Sequence, residues 1–124
     1  MLLSKKEFDD LVSSITDQVI SSLPHDLREQ AETVLIVTAD KPSKDQMLYP
    51  GDEDLLGLYE GVPLNERRVD EPLIPDRITI FRKPLLEMCS SQRELRDEIR
   101  ITLIHELGHF YGFDEDELTE RGLE

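Results

Sequence analysis

Apolar side chains recur at three- and four-residue steps through Phe8, Leu11, Val12, Ile15, Val19, Ile20 and Leu23, predicting an opening helix whose single apolar stripe must be buried. Ser4 and Glu7 stand at capping-box spacing before it, Leu3 and Phe8 can staple the cap, and Pro24 ends it. A short helical turn is expected over Asp26 to Glu29, with His25 at its start as a surface or capping group rather than a ligand. Thr33 to Thr38 is β-branched and apolar on both faces, which predicts a strand with layers above and below. Asp40 to Asp45 and Tyr49 to Asp54 are turn-rich and polar and enclose no predicted element; such a long irregular stretch in a compact domain is usually functional or mobile. Leu55 to Gly61 reads as a short strand weakened by glycine, suited to an edge or to close approach by another backbone. Val62 to Pro75, with Pro63, Pro72 and Pro75, reads as loop, and its Arg67-Arg68 pair is expected to be solvated. Arg77 to Arg82 alternates as a strand, and Pro84 then fits the first turn of a short helix through Met88. Ser91 to Glu94 repeats the capping-box spacing ahead of a long helix, in which Leu95, Ile99, Thr102, Leu103, Leu107 and Phe110 keep helical spacing. Most of Glu94, Arg96, Asp97, Glu98 and Arg100 should face water, and one more helical turn is expected over Asp116 to Arg121.

The run from Thr102 to Asp116 turns a packing pattern into a chemical one. His105 and His109 lie four residues apart on this helix, so both rings leave one face and together can hold one divalent metal. Glu106 sits on the flank of that face, where its carboxylate could take a proton from a metal-bound water without being a third ligand. This is the H-E-x-x-H arrangement of zinc hydrolases. Gly112 can take positive φ, end the helix and fold the chain back toward the metal, and Asp114, Glu115 and Asp116 follow as candidate third ligands. The plain alternative is an exposed helix end, where histidine is favoured by the dipole. Against it, Ile101, Leu103, Ile104, Leu107, Phe110 and Phe113 surround the motif, so the helix must be largely buried, and buried polar rings need partners. Gly108 between the histidines reads as close helix packing, since an interior glycine otherwise costs about 1 kcal/mol.

Length narrows the domain count. The 124 residues fit a single domain spanning 1–124, long enough for a core. With 28 acidic against 14 basic residues, the net charge of -14 repels phosphate backbones and anionic membranes, so neither nucleic acid nor membrane is an expected partner. The same field attracts metal ions or basic peptides, although a merely solubilising surface is the ordinary reading. No basic, apolar leader opens the sequence and no apolar run reaches membrane-spanning length, which predicts a cytoplasmic protein. The single Cys89 excludes an internal disulfide, fits a reducing compartment and reads as packing within Leu85 to Cys89.

These features together resemble the small bacterial zincin-like metallopeptidases, or minimal zincins. The likeness runs nearly end to end: the leading amphipathic helix, the segment Leu55 to Leu64, the strand approach Pro75 to Ile80, and above all the terminal H-E-x-x-H-x-x-G motif. It implies an α+β, zincin-like fold in which a small twisted sheet packs on the leading helix and the metal-bearing helix, with an edge strand bordering the cleft. It also implies that His105 and His109 are the zinc-binding histidines and Glu106 the general base. In the related pattern H-E-x-x-H-x-x-G-x-x-D the third ligand falls on Glu115, a departure from the expected aspartate, with Asp114 and Asp116 on either side. Each is chemically suitable for zinc. Asp114 also has the spacing to cap a following helix through Glu117. No methionine follows the third ligand, and Met88 precedes the motif, so the methionine turn of longer zincins has no counterpart here.

The chemistry then expected is hydrolysis of a peptide or protein substrate. Three protein ligands leave Zn2+ an open position for water, whose pKa falls from about 16 toward 7, and Glu106 accepts its proton and passes it to the leaving amine. Tyr59, Tyr111 and Arg82 are the residue types available to support an oxyanion. A site rich in histidine and carboxylate also accepts manganese, iron, cobalt or nickel. The other classes to weigh are a metal-binding domain without turnover and an acidic protein-interaction module with a vestigial site. Glu106 separates them, because a purely structural zinc site has no use for a free carboxylate beside its ligands.

Overall fold

The computed structural model describes residues 1–70 and 74–123; the part of the predicted Val62 to Pro75 loop that covers 71–73, Pro72 included, lies outside the described residues. The chain runs through α1 (Lys5–Ser22), α2 (His25–Ala31), β1 (Leu35–Ala39), β2 (Gly57–Glu60), β3 (Arg77–Phe81), α3 (Arg82–Met88), α4 (Gln92–Tyr111) and α5 (Glu115–Glu120). Single 3-10 turns at Asp52–Asp54 and Leu64–Glu66 interrupt the two long irregular stretches. The fold is therefore α+β, as the resemblance implies.

The opening cap forms in full: the Glu7 N–H donates to Ser4 Oγ, and the Ser4 N–H donates to the Glu7 carboxylate. Phe8, Val12, Ile15 and Val19 carry the apolar stripe into the core, where they join Leu95, Ile99, Leu103, Leu107 and Phe110 of α4. The second cap forms by half. Ser91 Oγ accepts the Glu94 N–H, but the Glu94 carboxylate turns back to the Ser90 N–H and hydroxyl instead of the Ser91 N–H.

The sheet has the order β1-β3-β2, with β1 parallel and β2 antiparallel to β3. This reassigns the strand covered on both faces. Ile78, Thr79, Ile80 and Phe81 of β3 are all buried, whereas β1 is an edge strand with Leu35 58% exposed and its other residues half-buried. A β-branched apolar run identifies a strand without saying whether it stands at the centre or the rim of its sheet. β2 occupies the opposite edge, as its glycine pattern predicts.

Helix α4 is terminated as expected. Gly112 has φ of +79°, its N–H donates to the His109 carbonyl, and the Phe113 N–H reaches back to the Gly108 carbonyl. This is the paired hydrogen bonding of a Schellman motif, which satisfies two carbonyls that the helix end leaves open. The chain then reverses into α5, capped by Asp114 through the Glu117 N–H at 2.8 Å. Gly108 gives α5 room to close on α4: a methyl group there would stand 3.0 Å from Leu118 Cδ1. No helix among the described residues is long and apolar enough to cross a membrane.

Leu118 is 2% exposed and is the one buried side chain of α5. Leu118→Ala should therefore lower the unfolding free energy by about 2–4 kcal/mol, read from the denaturant midpoint, with hydrogen-exchange protection of α5 lost before that of α1.

Candidate metal centre

Most of the C-terminal half of α4 is buried, yet His105 is half-exposed and His109 is exposed, so the two rings open a window on an otherwise enclosed stretch of helix. Their centroids are 5.0 Å apart at 89°. One ligand atom from each of His105, Glu106 and His109 can be chosen so that all three lie within 4.8 Å of one another. The helix delivers this proximity without help from a loop, because residues one turn apart share a face. Two imidazoles and neighbouring carboxylates form a donor set that suits zinc or a similar divalent ion.

Glu106 differs from its neighbours in being buried, at 8% exposure. Its Oε1 accepts the Tyr59 backbone N–H at 2.9 Å. Burial raises its pKa above the ordinary 4.5; the fields of His109 and His105 and the Tyr59 hydrogen bond pull the other way. Pairing parity explains why that N–H is available. The Phe81 N–H donates to the Leu56 carbonyl, and in the antiparallel register Leu58 repeats this orientation, so Gly57 and Tyr59 turn their backbone groups away from β3.

Gly57 permits the contact. A methyl group at this position would stand 2.6 Å from Thr102 Cγ2 and 3.4 Å from Glu106 Cγ, so the missing side chain lets α4 lie close enough for Glu106 to reach the strand. Beyond it, Tyr59 Oη donates to Asp76 Oδ1 at 2.6 Å, and Arg67 meets Asp76 Oδ2 at 2.5 Å. The Arg67 guanidinium also lies 5.8 Å from the Phe110 ring centroid. Arg67, expected to be solvated, is thus the counter-charge of a buried carboxylate. Burial, followed by the Asp76 hydrogen bond, pushes the Tyr59 hydroxyl well above its ordinary pKa of 10.

The acids after the bend separate by role. Asp114 spends its carboxylate on the α5 cap. Glu115, 74% exposed, brings Oε1 to 3.6 Å from His105 Nδ1. Asp116 is exposed and belongs to the first turn of α5. The three side chains weighed for an oxyanion are engaged elsewhere. Tyr111 donates to the Leu27 carbonyl, Arg82 binds Asp40 and the Leu3 carbonyl, and Tyr59 points its hydroxyl at Asp76. His25 contacts Arg28 and Glu29 on the surface, and Cys89 is buried in the core.

A cleft of about 410 Å³ runs beside the histidines between α4 and β2. Leu55, Leu58 and Ile101 make its walls largely apolar, and Glu98 stands at its far end. The sequence does not single out this last residue, which stands among Glu94, Arg96, Asp97 and Arg100, a group expected mostly to face water.

A family model described as zincin-like metallopeptidase matches residues 31–123. The match begins at the end of α2, so the leading helix included in the resemblance lies outside it. No curated protein matches the chain.

The burial of Glu106 has a thermodynamic consequence. A carboxyl whose pKa is raised by folding favours the fold at pH values below its ordinary pKa, and that contribution is lost as the pH rises through the raised value. In chelator, Glu106→Gln should melt above the wild type at neutral pH. The gap should close as the pH falls below about 4, which thermal denaturation across pH will read.

Proposed function

The chain belongs to the zincin-like metallopeptidase family, and from that premise we propose that it hydrolyses peptide bonds with zinc held by His105, His109 and Glu115 and with Glu106 as general base. One observation carries the reading. Glu106 is buried beside two imidazoles, and its only hydrogen bond among the described residues comes from the Tyr59 backbone N–H, which engages one carboxylate oxygen and leaves the other available for a proton. A carboxylate buried for structural reasons would ordinarily have both oxygens satisfied.

When bound, the metal supplies Lewis acidity toward the scissile carbonyl and lowers the pKa of a water toward 7. The protein's own groups then divide the remaining tasks. His105 and His109 fix the position of the ion from one rigid helical turn, which limits the reorganisation needed on binding. Glu115 is the third ligand favoured by its approach to His105, whereas Asp114 is committed to its cap. Glu106 accepts the proton from water and returns it to the leaving amine; its raised pKa brings it closer to the range in which a base can do both. The outward backbone of β2 supplies a template: an extended peptide can add to the Gly57 N–H and carbonyl and to the Tyr59 carbonyl, while the Tyr59 N–H holds the base.

Zinc analysis paired with a peptide-library digest tests this reading. Wild-type protein should bind about one zinc and cut; Glu106→Gln should keep the metal and lose roughly a thousandfold or more in kcat. Glu115→Ala should weaken zinc binding by about tenfold or more. Zinc binding with an uncut library would favour a metal-binding domain without turnover.

A further inference from the structure

Among the described residues lining the cleft, Glu98 is the acidic side chain at the far end, partly buried and without a hydrogen bond or ion pair to any described residue. The walls between it and the histidines are apolar, so solvent screens the carboxylate on fewer sides than a surface charge. Resting on the reading of the metal centre above, we propose that Glu98 is a specificity residue that selects lysine or arginine at the third residue after the scissile bond.

The position follows from helix and strand geometry. Glu98, Ile101, Thr102 and His105 lie on one face of α4 at three- and four-residue steps. Seven residues separate Glu98 from His105, or about 10 Å of helix rise. An extended peptide advances about 3.3 Å per residue, so three residues cover the same distance. Parity agrees: side chains alternate across a strand, and the first and third residues after the bond therefore face the same wall. The first would lie over Ile101, and the third would reach Glu98.

Direction follows from how α4 lies on β2. Gly57 faces Thr102 and Glu106, whereas Tyr59 meets Glu106 through its N–H and Phe110 through its ring, so strand and helix advance together. A peptide pairing antiparallel to β2, the stronger of the two pairings, runs against α4. Its residues after the scissile bond then lie toward Ile101 and Glu98. The net charge of -14 adds a long-range preference for basic peptides, but such a field has no register. Glu98 supplies the register.

A mixture library of capped decapeptides, digested by the zinc-loaded wild type, locates the preferred position; a matched pair differing only in Lys or Glu at the third residue then measures it. The wild type should favour Lys over Glu by roughly tenfold in kcat/KM, Glu98→Gln should bring the ratio near one, and Glu98→Lys should invert it. Binding of the same pair to zinc-loaded Glu106→Gln, followed by fluorescence anisotropy, should show the same order without turnover. A ratio near one in wild type, or one untouched by Glu98→Gln, overturns the proposal while leaving the hydrolase reading intact. A Lys preference before the scissile bond overturns the antiparallel placement and the proposal with it. Selective binding that depends on Glu98, with no cleavage of any peptide, supports the selection and sinks the hydrolase reading; an absence of both binding and cleavage overturns the two together.

Discussion

The approach of α4 to β2 at Gly57 is the constraint on which the rest of the centre depends. A side chain at that position would collide with Thr102 and crowd Glu106, so the strand could not lie where its outward backbone meets the Glu106 carboxylate. Because the strand does lie there, one backbone N–H orients the buried acid. The same approach closes the wall of the cleft beside the histidines. Tyr59, Asp76 and Arg67 extend this contact outward, with a hydroxyl, a carboxylate and a guanidinium in series holding the far end of the strand. An unpaired Asp76 in that position would be costly, which makes the Arg67 partner a requirement rather than an ornament.

α4 serves packing and chemistry through different residues of the same turns. Leu95, Ile99, Leu103, Leu107 and Phe110 enter the core, while Ile101, His105 and His109 remain accessible on the other side. A helix with polar residues only on a solvated face would hold its histidines at the mercy of side-chain freedom. Here the backbone is locked by burial on both flanks of an open stripe, so the rings begin from a fixed base. The Schellman ending completes the arrangement. It satisfies the last carbonyls within the chain and turns the chain sharply enough for Glu115 to reach His105.

Local rules made much of this legible. The first cap, the positive φ at Gly112, the small-residue contact at Gly108 and the shared face of His105 and His109 each depend on residues within a turn or two, where spacing and stereochemistry suffice. The double-sided burial assigned to β1 failed because sheet order is a long-range property, and β3 took the central place. Arg67 was misjudged for the same reason: its partner Asp76 is nine residues away and across a loop. Glu94 kept its helix but chose Ser90 over Ser91, a rotamer decision that spacing alone does not make. Glu98 was hidden in a charged run until the facing strand turned one position of that run into the end of a cleft.

Glu106 shows why such a centre is not simply the best-packed solution for its fold. Among the buried polar or charged residues of the described chain, Thr79 and Thr102 carry no charge and Asp76 has a guanidinium in contact, whereas Glu106 bears a charge stabilised mainly by a single N–H and two adjacent rings. Burial therefore favours its protonated form, and the metal-free fold carries a penalty at neutral pH that a glutamine would relieve. Local inconsistency of this kind is expected where a group is kept for its proton chemistry rather than for cohesion. The site's other residues point the same way: two accessible imidazoles, an exposed acid approaching them and an apolar cleft beside them add little to stability. They converge where the fold brings the outward backbone of a strand edge, a buried carboxylate and two imidazoles together.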